Sequence, residues 1–361
     1  AINSTDANGT VAIGYSAGLT LTDGQYNTLI GYQAGDGITT GNDNTIIGYI
    51  AGGSTNFNAG TSNTFVGSNA GNYATNTNSN VYVGYRAAGT NKHGGYNVVI
   101  GDQAGYNPVG NNFSGSHNVM IGYAAGYNTG ADKNVFIGSG AGQYTTGSYN
   151  TFVGQAAGLG GQTSAPFSSG ENNTAIGYQA LRVFTTGATN VAVGNYTLDA
   201  VTSGYANIGI GYYAGSSITD GFQNIVIGEN AGDTMTSTRR TVLIGHSAGT
   251  AINSTDANGT VAIGYLAGTG ITSGQYNTAI GYEAGKNQST ADGNTFVGYQ
   301  SGRQTTGNNN TAFGKYTMYE GAGADGNTAI GSNALQNNTA DNNTAIGYNA
   351  LTAATTGTGN V

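Results

Sequence analysis

The 361-residue sequence has no cysteine and no tryptophan, only two prolines, and few charged residues. The lack of cysteine excludes disulfides, a thiolate nucleophile and cysteine-bound zinc. Two prolines are too few for a collagen helix, which needs many prolines and a glycine at every third position. Charged residues make up 7% of the chain and give it a net charge of −8. This balance disfavours nucleic acid and anionic membranes as partners, because both require basic patches.

Long apolar runs are also missing. None approaches the roughly 20 residues of a membrane-spanning helix, so we expect no membrane insertion. The chain is nevertheless 37% hydrophobic and contains 25 tyrosines together with 65 glycines. That apolar content is too high for a solvated, disordered tail, and the chain is therefore expected to fold.

One short phrase, typified by NTAIGYQA at residues 173–180, recurs along the whole chain. Its glycine occurs 20 times, most often 17 residues from the next. The phrase glycines are Gly14, Gly31, Gly48, Gly67, Gly84, Gly101, Gly122, Gly138, Gly154, Gly177, Gly194, Gly211, Gly228, Gly245, Gly264, Gly281, Gly298, Gly314, Gly331 and Gly347. A short fixed period indicates a solenoid, and glycine with β-branched residues disfavours helix. The sequence predicts an all-β protein, a single parallel β-solenoid or β-roll over residues 1–361, with about 20 coils of mostly 17 residues.

Each coil is predicted to contain a strand, a corner, a short second strand and another corner. Isoleucine or valine precedes the phrase glycine in 19 copies, and threonine, valine or isoleucine stands two residues earlier in every copy. Examples of the residue before the glycine are Ile13, Ile30, Ile47 and Ile176. The two positions share one face of a strand. We interpret this β-branched face as the inward face of the coil.

Two further positions predict a structural ladder between coils. Asparagine stands four residues before the phrase glycine in 17 copies, including Asn27, Asn44 and Asn173. Stacked asparagine side chains can bond the coils above and below them. Phrase glycines such as Gly14, Gly31 and Gly177 mark tight corners, where φ is positive or two backbones approach closely.

The central position of the predicted strand varies from glycine to phenylalanine and is never charged. Because its neighbours are placed inside, we interpret this position as outward. An apolar outward strip should be covered by another chain. On this interpretation the strip is an interface, with candidate residues Phe65, Phe136, Phe152 and Phe296.

The spacing between the phrase glycines and the two ends of the array lead to two further predictions. The wider gaps, Gly101 to Gly122 and Gly154 to Gly177, contain Pro108 and Pro166 and are predicted to be loops. Residues 1–15 recur unchanged at residues 251–265, and neither end shows an obvious polar cap. We therefore expect a segment of a longer array that associates end to end.

Catalytic and metal-binding patterns are weak. Acidic and basic residues do not converge as in a hydrolase or lyase, so we expect no enzyme activity and no cofactor. Ca²⁺ is the alternative at aspartates that share an offset in adjacent coils, Asp6 with Asp23 and Asp325 with Asp341. The histidines, His93, His117 and His246, lie several coils apart and are not expected to bind metal. Among the Asn-x-Ser/Thr sequons, Asn3 and Asn253 lie at predicted corners and are the candidates for glycosylation.

The phrases NGTVAIGY at residues 8–15 and NTAIGYQA at residues 173–180 resemble the head repeats of trimeric autotransporter adhesins. They are also similar to repeats found in phage tail fibres. The resemblance extends over all 20 copies. It implies a left-handed parallel β-roll, three chains side by side, and a position on a cell surface.

These observations predict an extracellular or cell-surface structural protein, a fibre or adhesin-like rod that associates with itself end to end and laterally, with a homotrimer as one form. The alternatives are a ligand-binding trimeric adhesin head, a phage tail-fibre segment and an ice-binding solenoid. An ice-binding face needs a flat threonine array, and the threonine column is placed inside here. The sequence does not identify a surface glycan or matrix ligand.

Overall fold

A computed structural model describes residues 8–53, 59–90, 92–108, 114–161, 167–253, 257–353 and 355–361. This described part is all-β, with 20 short parallel strands and no helix that could cross a membrane. The predicted fold class, a parallel β-solenoid with coils about 17 residues apart, is confirmed. The chain divides into two compact units, residues 1–186 and residues 187–361.

Each unit holds ten three-residue strands. Those of the first unit are β1 (Val11–Ile13), β2 (Thr28–Ile30), β3 (Thr45–Ile47), β4 (Thr64–Val66), β5 (Val81–Val83), β6 (Val98–Ile100), β7 (Val119–Ile121), β8 (Val135–Ile137), β9 (Thr151–Val153) and β10 (Thr174–Ile176). Those of the second unit are β11 (Val191–Val193), β12 (Ile208–Ile210), β13 (Ile225–Ile227), β14 (Val242–Ile244), β15 (Val261–Ile263), β16 (Thr278–Ile280), β17 (Thr295–Val297), β18 (Thr311–Phe313), β19 (Thr328–Ile330) and β20 (Thr344–Ile346).

Within a unit, each strand pairs in parallel with the next and without any shift in register. Leu29 of β2 therefore lies directly beside Ile46 of β3. Backbone hydrogen bonds between coils continue beyond the strand: the Gln33 N–H donates to the Tyr15 carbonyl at 2.8 Å. The prediction of a short second strand in each coil is wrong for the described residues. Turns and bends fill the rest of the coil, with isolated bridges at Thr145–Ser168 and Phe222–Arg239.

The predicted orientation of the strand is also wrong. The central residue of the strand points into the coil, and the first and third residues face outward. Ile13, Ile30, Ile47 and Ile176 are therefore half-buried or exposed, and Ile176 is 41% exposed. Phe65, Phe136, Phe152 and Phe296, proposed from the sequence as an interface, are completely buried in the chain's own core. Two of these rings, Phe136 and Phe152, stack inside with centroids 5.2 Å apart.

The core of a coil explains why its central strand position can vary. Besides the central strand residue, the core receives the side chains three, four and seven positions after the phrase glycine. In the coil of β2 these are Ala34, Gly35 and Ile38. Because several positions fill one space, a large residue at one can offset a small residue at another. A variable column is therefore compatible with a closely packed interior.

Left-handed backbone turns the chain at three positions of the β2 coil, at Tyr26, Gln33 and Gly35, with φ of 58°, 52° and 60°. Two of these residues are not glycine, so corner formation is not restricted to the glycine columns. The phrase glycine itself is required by close approach: a Cβ on Gly31, where φ is 135°, would lie 2.8 Å from the carbonyl carbon of Gly48. Gly14 and Gly177 have the same backbone conformation, with φ of 134° and 135°.

The asparagine column lies inside the coils and forms a hydrogen-bonded ladder. The backbone N–H and the side-chain amide of Asn44 both donate to Asn27 Oδ1 at 3.0 Å. The same amide donates to the Gly60 carbonyl at 2.8 Å. Asn173 repeats the pattern on Asn150. Asn44 thus satisfies two buried backbone groups of the following coil, since its Oδ1 also accepts from the Asn63 N–H, and a hydrophobic residue of similar size could not do this.

The two wider gaps between phrase glycines are only partly described. Pro108 is exposed and lies in a turn at the start of the first gap. Residues 109–113 and 162–166, which include Pro166, lie outside the described residues. The prediction of a loop at Pro166 stays a prediction.

Candidate interaction surface

The most regular surface of each unit is the outer strand face, which we define as the first and third residues of every strand. In β2 these are Thr28 and Ile30. The third residue is isoleucine or valine in 19 strands and phenylalanine, Phe313, in the other. No charged residue occurs at either position in any strand. Because the strands pair without a register shift, like side chains stack in two uncharged rows along each unit.

Several side chains of the outer strand face are well exposed. Ile137, Ile210 and Ile330 have exposed fractions of 36%, 39% and 42%. The third residues of most other strands are half-buried. One exposed isoleucine is unremarkable on a protein surface, but a regular row of exposed and half-buried apolar residues typically marks a site of association. This surface was not predicted from the sequence, because the same residues were assigned to the core.

A tyrosine column borders the outer strand face. It consists of the tyrosines that directly follow the phrase glycine. In the first unit Tyr15, Tyr32 and Tyr49 stack with ring centroids 5.2 and 5.3 Å apart. In the second unit the stack runs through His246, Tyr265, Tyr282 and Tyr299, with separations of 5.3, 5.2 and 5.1 Å. All of these tyrosines are exposed. Their ring faces contact one another, so the ring edges and hydroxyl groups face outward.

Partial desolvation, together with the neighbouring Tyr316 and Tyr282, raises the pKa of Tyr299, which belongs to the tyrosine column. Desolvation and the contact with Tyr212 likewise raise the pKa of Tyr213, which lies next to the column. Both hydroxyl groups therefore stay protonated at neutral pH and can donate and accept hydrogen bonds.

One ionic network links two successive coils of the second unit. The carboxylate of Glu283, which is 7% exposed, accepts from Lys286 Nζ at 2.7 Å, Gln300 Nε2 at 2.6 Å and Arg303 Nε at 2.9 Å. Burial opposes ionisation of Glu283, but these three hydrogen bonds outweigh it and lower its pKa to about 2. All carboxylate charge is satisfied within the network, so this cluster stabilises the coils and does not present an open site.

Asp325 and Asp341, considered for Ca²⁺, each accept a hydrogen bond from a backbone N–H group. Asp341 Oδ1 accepts from the Asp325 N–H at 2.9 Å, and Asp325 Oδ1 accepts from the Asn308 N–H at 2.6 Å. Asp6 lies outside the described residues, so its pairing with Asp23 stays a prediction. Among the described residues, no group of three or more histidine, aspartate or glutamate side chains is arranged to hold a metal ion.

The histidines lie apart from one another. His93 Nδ1 is 3.0 Å from Thr75 Oγ1, and His117 stacks on Tyr96 with centroids 5.0 Å apart. His246 belongs to the tyrosine column described above. Of the two glycosylation candidates, Asn253 is exposed and Asn3 lies outside the described residues.

Neither a scan of protein-family models nor a search of curated proteins finds a match for this sequence. The fold and the surface together define a β-solenoid repeat protein with a regular, uncharged outer strand face.

Proposed function

We propose that the protein is structural and forms an extracellular fibre or an adhesin-like rod on a cell surface, through side-by-side association of identical chains. The observation that carries this proposal is the exposed outer strand face, which lacks charge in all 20 strands. Similarity to adhesin head repeats supports the extracellular setting. The proposed role is mechanical: the stacked coils supply stiffness, and their outer surface supplies contacts.

A second copy of the same chain is the partner that best fits this face. The rows repeat once per coil, and an identical solenoid repeats at the same interval. Each isoleucine or valine of one copy can therefore meet an equivalent residue of the other along many coils. Burial of apolar area contributes roughly 25 cal/mol per Å² before the cost of association. A small gain per coil adds up over ten coils, whereas a partner with a different repeat would lose register.

The experiment compares two double variants that add the same charge. Ile137→Lys with Ile176→Lys places two cations on the outer strand face. Asn76→Lys with Thr186→Lys places them at exposed corners. Sedimentation analysis measures the mass of the particles, and circular dichroism checks the fold. We expect several chains per particle for the unmodified protein and the corner variant, and one chain for the outer-face variant. A one-chain particle for the unmodified protein would contradict lateral association.

The outward position of the threonine column favours a second candidate function, ice binding. The threonine column was predicted to lie inside the coil, and this placement is wrong. Five threonines of β16–β20 stack in register on the outer strand face: Thr278, Thr295, Thr311, Thr328 and Thr344. A flat threonine array of this kind is what an ice-binding face requires. Inhibition of ice recrystallisation that is lost in Thr311→Lys, but kept in Asn76→Lys, would support this function.

An adhesin head and a phage tail-fibre segment are the alternatives to a passive fibre. Both require recognition of a ligand, which a passive fibre does not. Saturable binding of the soluble chain to a matrix protein or a glycan would favour them. If the chain assembles laterally but shows no saturable binding in the same assay, the passive fibre would be favoured.

A further inference from the structure

A cleft of about 200 Å³ lies at the corners of three successive coils in the first unit. Its lining residues are Asn69, Asn72, Tyr73, Arg86, Gly89 and Tyr106. None of its lining residues belongs to the outer strand face, because all of them follow the phrase glycines Gly67, Gly84 and Gly101. The site is distinct from the surface assigned to assembly.

The Arg86 guanidinium is held between aromatic rings. Its central carbon lies 5.0 Å from the centroid of Tyr85 and 5.5 Å from that of Tyr106. Arg86 forms no ion pair with any of the residues that the structure describes, in contrast to Arg303, which binds Glu283 at 2.9 Å. Cation–π contacts orient a guanidinium without neutralising it. Its N–H groups remain suited to a carboxylate, which they can bind with two parallel hydrogen bonds.

The other walls supply amide groups and an aromatic ring. Asn72 Nδ2 donates to Asn69 Oδ1 at 3.4 Å, a long bond that a ligand hydroxyl can replace. Tyr73 is exposed at the rim, where its ring can pack against the C–H face of a sugar. Gly89 also lines the cleft. A Cβ there would lie 3.3 Å from Tyr106 Cδ2 and 3.2 Å from the Arg86 carbonyl oxygen, so a side chain at this position would crowd the cleft.

We infer that this cleft binds an acidic saccharide, a pyranose with a carboxylate, through Arg86. The cation between two aromatic rings matches a carboxylate. The two amide side chains match ring hydroxyls, and the exposed aromatic ring matches the C–H face of the sugar. The volume fits one sugar ring and is too small for a folded element of a protein partner. In a chain with a net charge of −8, an anion gains attraction only at a cation without an acidic partner. Binding here does not require assembly, so this inference and the proposed fibre function can fail separately.

The test uses the full chain and three probes in isothermal titration calorimetry: trigalacturonate, its carboxyl-reduced neutral trimer, and acetate. We expect saturable binding of trigalacturonate that weakens with added salt. The neutral trimer and acetate should each bind at least about tenfold more weakly, because each lacks one part of the recognition. Equal affinity for the neutral trimer would overturn the assignment of the carboxylate to Arg86. A lack of saturable trigalacturonate binding would overturn the site itself.

Two variants locate the binding in the cleft. Arg86→Gln should weaken trigalacturonate binding by at least about tenfold. Glutamine suits this left-handed position, because Gln33 and Gln103 occupy the equivalent position with φ of 52° and 55°. The control is Lys315→Gln, which removes a cation that also lies over two tyrosine rings, at 4.8 and 5.7 Å, and should change nothing.

Gly89→Ala tests the cleft by a second route. It adds one methyl group to the lining at a glycine without positive φ, where the neighbouring atoms must shift by a few tenths of an ångström to accept it. The methyl group should weaken binding while circular dichroism stays unchanged. Unchanged affinity in both Arg86→Gln and Gly89→Ala would place the saccharide elsewhere and overturn the inference.

Discussion

The Leu198 side chain occupies the space that a side chain at Gly209 would need: a Cβ on Gly209 would lie 2.7 Å from Leu198 Cγ. Gly209 is the central residue of β12, and Leu198 lies four positions after the phrase glycine of the preceding coil. The reverse arrangement occurs at Phe136, where a Cβ on Gly142 would lie 2.6 Å from the Phe136 ring. The central strand position and the position four after the phrase glycine therefore share one core volume.

The sequence carries a signal for this shared volume. Leucine or methionine at the fourth position after the phrase glycine always accompanies alanine at the centre of the strand. The five pairs are Ala175 with Leu181, Ala192 with Leu198, Ala312 with Met318, Ala329 with Leu335, and Ala345 with Leu351. If one of the two side chains pointed into the coil and the other pointed outward, they would not share a space, and their sizes would not need to compensate. This pairing indicates an inward central residue.

The first prediction is that the two arrangements can be exchanged within one coil. Ala175→Leu alone overfills the core and should cost about 1–3 kcal/mol of stability. Leu181→Gly alone leaves a cavity and should cost about 2–4 kcal/mol. The double variant recreates the combination of Leu29 with Gly35 and should be more stable than the sum of the single effects by about 1 kcal/mol or more. Chemical denaturation of the four proteins measures the coupling.

A distant pair provides the control for this cycle. Ala175→Leu combined with Leu335→Gly changes the same residue types many coils apart. The effects of these two substitutions should add, because distant sites share no volume. Additive behaviour of the pair within one coil would show that the two positions do not share a space.

The second prediction compares neighbouring residues of one strand. Ala175→Asp places an unpaired charge in the core and should cost at least about 3 kcal/mol. Ile176→Asp places the same charge on the outer strand face, where the side chain is 41% exposed, and should cost less than about 1 kcal/mol. Thermal unfolding of the isolated chain measures both. A larger loss at Ile176 than at Ala175 would restore the orientation predicted from the sequence.

The fold class could be predicted from the sequence because it depends on the repeat interval and on the residue types that repeat. A period near 17 residues, dominated by glycine and β-branched residues, permits few structures besides stacked β coils. Which side chains of the strand face the core could not be predicted from the repeat. Isoleucine and valine have high β propensity on either face, so Ile176 and its equivalents suit an exposed row as well as a core. The deciding information was the size pairing between Ala175 and Leu181, which depends on two positions at once.

The candidate surfaces were harder to predict than the fold. Which residues form the outer strand face depends on which side chains of the strand point outward. An error in that orientation exchanges the predicted core residues and the predicted surface residues. The cleft depends on side chains from three coils, Asn69, Arg86 and Tyr106, which no short motif brings together in the sequence. The left-handed conformation of Gln33 was equally hidden, because glutamine has no particular preference for positive φ.

The third prediction concerns the asparagine ladder. Asn44→Ala removes the donor to the Gly60 carbonyl and the acceptor for the Asn63 N–H, and both groups are buried. Leaving them without partners should cost about 2–4 kcal/mol. Asn44→Thr should cost less, because Thr241 occupies the equivalent position and its hydroxyl donates to Asn224 at 2.8 Å. Denaturation curves measure both variants.

An exposed asparagine gives the matching control for the ladder. Asn76→Ala removes the same atoms from a corner that faces solvent and should change stability by less than about 0.5 kcal/mol. A threonine at residue 44 as damaging as alanine would contradict this expectation and would mean that a hydroxyl group cannot replace the asparagine amide in the ladder.

The last prediction is the pH dependence of the ionic network around Glu283. Its pKa falls from 4.5 to about 2 on folding, because the hydrogen bonds from Lys286, Gln300 and Arg303 outweigh the effect of burial. A lowered pKa means that the folded state favours the ionised carboxylate. The resulting stabilisation is fully present above pH 4.5 and is lost as the pH falls toward 2.

Glu283→Gln should therefore lower stability by about 1–3 kcal/mol at neutral pH. The difference from the unmodified protein should shrink progressively below pH 4.5. Denaturant titrations across this range measure it, with exposed Glu229→Gln as the control that changes little at any pH. A stability difference that stays constant down to pH 2 would mean that Glu283 contributes through packing and not through its charge.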